Sequence, residues 1–318
     1  MDKKVTYHEQ TDVENTLRLR DVLKTLPPFC KDFFRAIEPR TTTKTRISYA
    51  YDIRIFFQFL LEQNPAFRDW SIDAFTVDVL DQITAVDLEE YEEYLKVYQA
   101  GDKTETNGER GLKRKMSSLR SFYAYYFKRE MIHTNPTVLV DVPKIHQKSI
   151  IRLEADEVAL LLDYIEHGGD DLTGQKKVYY EKNKDRDLAL VTLLLGTGVR
   201  VSECVGLDIE DVDFKNNGIK VTRKGGNEMV VYFGPEVEKA LKNYLEVRKN
   251  IIPVEGHEHA LFYSTQRKRI GVQAVENLVK KYARQVTTTK KITPHKLRST
   301  YGTALYPVSY THLTLPTN

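Results

Sequence analysis

DRDLALVTLLLGTGVR, residues 185–200, is the stretch that decides the fold in the second half of this 318-residue chain. Its apolar run from Leu188 to Leu195, interrupted by one Thr, predicts a buried helix, and the glycines that follow predict its end. The run is far shorter than the roughly 20 residues that span a bilayer. Arg200 therefore lies just after the glycine turn of a buried helix.

The segments around this helix predict a helical domain with a small sheet inset. Residues 218–226 (GIKVTRKGG) and 227–234 (NEMVVYFG) alternate apolar and polar side chains around a Gly225-Gly226 turn, which predicts a β-hairpin. A polar insertion, residues 170–184, is expected before the buried helix. Helical spacing is found in four further segments, at residues 153–169, 235–249, 271–286 and from Pro294 onward.

The first half of the chain predicts a separate helical domain. In RISYAYDIRIFFQFLLEQ, residues 46–63, apolar side chains recur every four positions, and the threonines before it offer N-cap hydroxyls. Two more helices are expected, from Thr84 through Tyr98 and from Leu112 to Arg129. Prolines 136 and 143 exclude helix from the basic segment that follows, so we expect an extended linker there.

The chain is thus expected to be mainly α, with a helical N-terminal domain and a mainly helical second domain that holds a small antiparallel sheet. We expect an N-terminal extension, the first domain, the basic linker, the second domain and a tail, at residues 1–40, 41–135, 136–152, 153–305 and 306–318. Pro307 is expected to stop the last helix.

Composition narrows the class of protein. Hydrophobic residues make up 41% of the chain and charged residues 29%, which is typical of a folded protein. Its two cysteines form neither a disulfide framework nor part of a Cys/His cluster, so no structural metal is expected. The N-terminus is too charged for a secretory signal, and a cytoplasmic protein without a membrane segment is expected.

Charge is strongly separated along the chain, although the net charge is only +3. Residues 62–108 carry twelve Asp and Glu against three Lys and Arg, whereas residues 109–152 carry ten Lys and Arg against three Asp and Glu. Such a basic stretch is either a solvated helix face or a surface that neutralises phosphates, and the pattern alone leaves both open.

Several enzyme signatures are missing from the sequence. GTGVRVS, residues 196–202, begins like a dinucleotide fingerprint, but it lacks the third glycine and follows a helix rather than a strand. The sequence holds no phosphate-binding GxxxxGK[ST], no zinc-binding HExxH and no GxSxG nucleophile turn. No nucleotide or other cofactor is therefore expected.

Four basic residues in the second half suggest phosphate chemistry when they are taken together. Arg200 follows the glycine turn, Lys224 lies at the hairpin tip, and His295 and Arg298 share a face at the start of a helix. Each has an ordinary interpretation by itself, such as Arg200 pairing with Glu203. As a set they suit a phosphodiester under attack, whose negative charge forked guanidiniums stabilise.

The motifs that carry these residues resemble those of the tyrosine recombinases. LLLGTGVRVSECVGLDIEDVDF (193–214) is similar to the first box of that family, VTRKGGNE (221–228) to its lysine hairpin, and TPHKLRSTYGTALY (293–306) to its second box. The region 41–130 resembles the family's DNA-embracing N-terminal domain. Residues 182–195 make the chain most similar to the single-recombinase Xer type of Gram-positive bacteria.

The resemblance implies a role for each matching residue. Arg200 and Arg298 would clamp the scissile phosphate, and Lys224 would protonate the leaving 5′-oxygen. His295 would help with the nucleophile's proton or bind a phosphate oxygen, while Glu203 would orient the site. Ser299 stands where the family commonly has a second His, and a modest effect is expected because a hydroxyl still donates a hydrogen bond.

The family works on double-stranded DNA as a homotetramer, without metal or cofactor, so the resemblance implies the same for the full-length protein. Eight basic residues are expected to contact DNA: Lys44, Arg46, Lys113, Arg114, Arg120, Lys144, Lys148 and Arg223. Contacts of this kind fix the position of a protein on DNA through phosphates rather than by reading bases.

The C-terminal tail departs from the family. The family continues into another box and a nucleophilic tyrosine much further from Arg298, whereas YPVSYTHLTLPTN (306–318) contains no Asp, Glu, Lys or Arg. We therefore expect a truncated recombinase with a foreign tail, in which neither Tyr306 nor Tyr310 is the nucleophile. Two alternatives stay open, a DNA-binding protein that does not cleave and a phage or transposon integrase.

Overall fold

The computed structural model describes residues 6–146, 149–223 and 226–310, with the backbone alone over 303–310. The described residues divide into two compact units, 6–146 and 149–310. The mainly α fold class is confirmed, because helices account for most of both units and strands for small antiparallel sheets. No helix of these residues has the length and apolar character needed to cross a membrane.

The N-terminal unit is built from helices and one β-hairpin. Its elements are α1 (Tyr7–Leu23), α2 (Cys30–Ala36), α3 (Thr43–Gln63), α4 (Ala85–Lys96), β1 (Val97–Ala100), β2 (Lys103–Thr106) and α5 (Glu109–Lys128). The helix expected at 46–63 is confirmed as α3, which begins after Thr42, whose hydroxyl accepts a hydrogen bond from the Thr45 amide.

Two local expectations for this unit need correction. The second helix ends at Lys96 rather than Tyr98, because Val97 and Tyr98 pair with Thr106 and Glu105 in the β1–β2 hairpin. The segment expected as an extension at residues 1–40 contains α1 and α2, and Leu19 and Val22 of α1 are buried in the same core as α3. That core is rich in aromatic rings, with Phe33, Phe56, Phe57, Phe122 and Tyr123 fully buried.

The C-terminal unit surrounds a long helix. Its elements are α6 (Ala155–His167), α7 (Gly174–Thr197), α8 (Val201–Gly206), β3 (Val212–Asp213), β4 (Gly218–Thr222), β5 (Glu228–Tyr232), α9 (Pro235–Arg248), α10 (Val272–Val286) and α11 (Pro294–Tyr310). The three strands form an antiparallel sheet in the order β3-β4-β5, and the predicted hairpin is its β4–β5 part. The third strand, β3, was not predicted.

Helix α7 is the buried helix that the sequence predicts, but it begins earlier. Most of the expected polar insertion is helical, because α7 starts at Gly174 and continues into the apolar run. A buried ion pair fixes the middle of α7: Arg186 donates to Asp187 Oδ1 through Nε at 2.9 Å and Nη2 at 2.6 Å. The Tyr282 hydroxyl of α10 donates to Asp187 Oδ2 at 2.9 Å. The hydrogen bond from Tyr282 joins α10 to α7.

Helix α11 extends further than the sequence suggests. The expectation that Pro307 stops this helix is wrong, because α11 continues from Pro294 to Tyr310. A proline inside a helix removes one backbone N–H donor and strains the turn before it, which kinks a helix as readily as it ends one. The beginning of α11 carries His295 and Arg298, two of the residues that the sequence predicts at a phosphate site.

Candidate phosphate-binding site

Arg200 is held by a carboxylate on its own short helix. It is the N-cap of α8, where its backbone amide donates to Glu203 Oε2 at 2.8 Å and its Nη1 donates to Glu203 Oε1 at 2.7 Å. The Arg200 side chain is 51% exposed, whereas that of Glu203 is only 4% exposed. One buried carboxylate therefore fixes both the start of α8 and the direction of the guanidinium.

This geometry agrees with both interpretations of Arg200. The ordinary pairing with Glu203 is present, and the guanidinium is still half exposed. An arginine has five N–H donors in a rigid fork, and the Glu203 contact engages one of its terminal nitrogens. The pair therefore leaves Arg200 able to donate to an anion in the solvent.

Arg298 is anchored to the glycine turn that precedes Arg200. Its Nη1 donates to the carbonyl oxygen of Gly198. Gly198 has φ = +61°, and a Cβ added there would lie 2.2 Å from Cδ1 of Tyr301 on α11. Only glycine fits this left-handed turn with an aromatic ring against it. The turn therefore brings α11 and Arg298 next to the backbone that carries Arg200.

His295 and Ser299 lie on α11 close to Arg298. His295 is exposed in the first turn, directly after Pro294, and it lies three residues before Arg298 on the same side of the helix. The Ser299 hydroxyl donates to the His295 carbonyl at 3.1 Å. The positive end of the helix dipole points out of this first turn, which favours a bound anion beside His295.

Lys224 lies outside the described residues, so its place in the site stays a prediction. The hairpin that carries it is described on both sides: Thr222 pairs with Glu228, the Arg223 amide donates to the Asn227 carbonyl at 2.8 Å, and Gly226 has φ = +82°. Arg223 is exposed next to the tip. The described residues on the two sides of the tip are thus paired with each other.

The predicted DNA contacts fall into two groups. Lys44 at the start of α3, Lys113 on α5 and Lys144 in the linker are exposed, as a phosphate contact requires, and Arg223 joins them at the hairpin. Lys148 lies outside the described residues. No bound nucleic acid tests these assignments, and they stay predictions.

The remaining three arginines have partners within the N-terminal unit. Arg46 is 13% exposed and pairs with Glu38 at 2.9 Å. Arg120 donates to backbone carbonyls of the linker, including that of Thr137 at 3.1 Å. Arg114 pairs with Asp52, a carboxylate that sequence reasoning missed. Asp52 could have been found from its position, because it is an acidic residue four positions before Phe56 in the most apolar helix of the unit.

Metal and thiol chemistry find no support among the described residues. They contain no group of three or more His, Cys, Asp or Glu that could hold a metal ion. Cys204 follows Glu203 in α8, but burial raises the pKa of its thiol to about 12. A thiol with so high a pKa stays protonated near neutral pH and is a poor nucleophile.

Comparison with known proteins identifies the family. The model of the phage integrase family matches residues 152–310, which contain α6 to α11. The chain belongs to the phage integrase family. Two curated tyrosine recombinases are similar over most of its length. XerC of Caldanaerobacter subterraneus subsp. tengcongensis is 34% identical over 291 residues, covering 88% of this chain and 75% of the relative. XerS of Streptococcus uberis is 30% identical over 316 residues, covering 88% and 85%.

Solved recombinase structures share the fold. The XerH site-specific recombinase bound to difH substrate aligns with a TM-score of 0.59 and 18% identity, over 85% of this chain and 71% of that one. The Tn1549 transposon integrase in complex with transposon right end DNA aligns with a TM-score of 0.61 and 21% identity, over 88% and 86%. These likenesses support the fold of this tyrosine recombinase across both of its units.

Proposed function

We propose that this tyrosine recombinase binds duplex DNA and grips a scissile phosphate between Arg200 and Arg298. The observation that carries the proposal is the Gly198 turn, because it anchors Arg298 through its carbonyl and leads directly into Arg200. Two guanidiniums beside one turn suit the equatorial oxygens of a phosphodiester, whose charge grows during attack. Recombinases of the family cut and rejoin strands through a 3′-phosphotyrosyl intermediate.

The other residues of the site take supporting roles in this proposal. His295 binds a phosphate oxygen or accepts the proton of the attacking tyrosine, and Lys224 protonates the leaving 5′-oxygen. Glu203 positions Arg200 by the pair of hydrogen bonds described above. Ser299 replaces a second histidine with a weaker donor. We propose no metal or cofactor for the reaction.

Duplex DNA is the proposed partner. The similar XerH and Tn1549 integrase structures are complexes with DNA, and most of the basic stretch 109–152 lies in the N-terminal unit, which would embrace the duplex. We propose that a homotetramer carries out strand exchange, either to resolve chromosome dimers or to integrate mobile DNA. The second-domain limits 153–305 and the linker 136–152 are part of the same proposal, with α1 and α2 counted in the DNA-binding unit because their side chains lie in its core.

The nucleophile is a separate question. Tyr306 and Tyr310 lie eight and twelve residues after Arg298, much closer than the family's tyrosine. We propose that neither acts as the nucleophile and that this chain binds DNA without cleaving it. A non-cleaving DNA-binding protein of the same fold is the second candidate function, and the same positions of Tyr306 and Tyr310 favour it.

A salt titration tests the DNA proposal. The dissociation constant for duplex DNA is measured by fluorescence anisotropy at increasing KCl concentration. Each phosphate that a lysine or arginine neutralises releases counterions, so the affinity should fall steeply, with a logarithmic slope equivalent to several contacts. An affinity that is flat between low and physiological salt would contradict DNA binding through phosphates.

A further inference from the structure

Asp52 is a buried carboxylate on α3 that faces the basic helix α5. It is only 3% exposed, and its Oδ2 accepts a hydrogen bond from the Ser118 hydroxyl at 2.6 Å and another from Arg114 Nη1. Its Oδ1 lies 3.7 Å from Lys115 Nζ and has no hydrogen bond among the described residues. Burying a carboxylate is costly unless charged partners compensate it.

The two cations beside Asp52 differ in exposure. Lys115 is 8% exposed, so its ammonium is enclosed with the carboxylate, and burial lowers the pKa of Lys115. The Arg114 side chain is 49% exposed, although its Nη1 touches the same carboxylate. Lys115 therefore balances the charge of Asp52 inside the unit, while Arg114 extends from that pair into solvent.

An arginine held in this way is prepared to bind a phosphate. Its planar fork carries five donors, and Asp52 engages only one nitrogen. Fixing the guanidinium in advance reduces the side-chain entropy that an exposed arginine loses when it binds. Lys113, the neighbouring residue on α5, is exposed and shows no contact with Asp52 among the hydrogen bonds and ion pairs described.

We infer that Asp52 is a positioning residue that holds Arg114, with the help of Ser118, as a preformed phosphate contact of the DNA-binding surface. The inference rests on the proposed DNA binding and adds to it a residue that increases DNA affinity despite its negative charge. An acidic residue that acted only through long-range electrostatics would weaken binding to a polyanion.

The sign of one substitution separates these roles. Asp52→Asn keeps the shape of the side chain and removes its charge. If Asp52 positions Arg114, the variant should bind duplex DNA about threefold more weakly, since the hydrogen bond from Arg114 loses its charged acceptor. If Asp52 only opposes DNA electrostatically, the same variant should bind more tightly. Arg114→Ala should weaken binding about tenfold and lower the salt slope by about one contact.

A double-mutant cycle tests the link between the two residues, with Lys113 as the matched control. Dissociation constants for a labelled duplex are measured for the full chain and for Asp52→Asn, Arg114→Ala, Lys113→Ala and the two pairs that contain Asp52→Asn. The effect of Asp52→Asn should disappear in the Arg114→Ala background and persist unchanged in the Lys113→Ala background, because residues that share an interaction are not additive.

Ser118→Ala provides a second route if Asp52→Asn does not fold, which a thermal melt monitored by circular dichroism decides. This substitution leaves the charges of Asp52 and Arg114 in place and removes the hydroxyl that donates to Asp52 Oδ2. We expect Ser118→Ala to weaken DNA binding, and we expect this effect to disappear in the Arg114→Ala background. Unchanged or tighter binding, or additive effects in both backgrounds, would overturn the inference. Failure of the unsubstituted chain to bind DNA would instead refute the proposed function itself.

Discussion

The two units hold their half-exposed arginines in different ways. In the C-terminal unit, Arg200 is held by Glu203, three residues along the same short helix. In the N-terminal unit, Arg114 on α5 is held by Asp52 on α3, 62 residues earlier in the chain. Both residues of the first pair belong to one short sequence motif, whereas the second pair forms only after two helices have packed.

The two arginine–carboxylate pairs differ in the structure that each needs in order to form. The Arg200 pair forms together with the first turn of α8, because Glu203 also binds the Arg200 amide. The Arg114 pair depends on the aromatic core that sets α3 against α5. We therefore expect substitutions at Arg200 to affect chemistry alone, and substitutions at Arg114 to affect DNA affinity.

The largest expected effect concerns the phosphate clamp. In a chimera that joins this chain to the C-terminal segment of the similar XerC, Arg200→Ala or Arg298→Ala should lower strand cleavage about a hundredfold or more, because each removes a donor to the charge that develops on the phosphate. Cleavage of radiolabelled DNA and binding are measured side by side. Loss of binding together with cleavage would make these arginines general DNA contacts, the role proposed for Arg114.

Lys224 offers a chemical test within the same chimera. Lys224→Ala should lower cleavage about a hundredfold, because the leaving 5′-oxygen loses its acid. A substrate with sulfur in place of that bridging oxygen has a leaving group that needs no proton. The variant should therefore cleave this substrate at close to the normal rate. Equal impairment on both substrates would remove the general-acid role.

The glycine turn gives the smallest of the expected effects, measured as stability. Gly198→Ala should lower the free energy of unfolding of the chain by about 1–3 kcal/mol, because alanine is strained at a left-handed φ and its Cβ would meet the Tyr301 ring. Gly302→Ala is the matched control on α11: its Cβ meets open space and it lacks a positive φ, so it should stabilise the helix by about 0.5–1 kcal/mol. Urea denaturation of both variants measures the difference. A Gly198→Ala variant as stable as the original chain would show that the turn can relax.

Local patterns indicated which residues of the C-terminal unit form the candidate site. Arg200, Glu203, His295 and Arg298 belong to contiguous motifs, and helix spacing alone indicates which of them share a face. The hydrogen bond from Arg298 to the Gly198 carbonyl spans 100 residues and could not be derived from either motif. Sequence therefore predicted the residue types, and packing of α11 on the glycine turn determines their contacts.

The N-terminal unit was less predictable because more of its contacts depend on packing between distant segments. Apolar spacing identified α3 well. It did not identify the partners of Asp52, because this carboxylate contacts a helix that lies much later in the chain. Short strands such as β1 and β2 carry little periodicity, and their residues are exposed except for the partly buried Tyr98, so they gave no hydrophobic signal. Helix α1 was overlooked because its packing on α3 joins segments that are distant in sequence, which a local pattern does not show.

A nicked suicide substrate tests the central claim most directly, namely that this chain carries the phosphate clamp of a tyrosine recombinase without a working nucleophile. Native electrophoresis reports DNA binding, and denaturing electrophoresis reports a covalent protein–DNA link. We predict a shifted complex in the native gel and no covalent band in the denaturing gel. A covalent band that disappears on Tyr310→Phe or Tyr306→Phe would contradict the account.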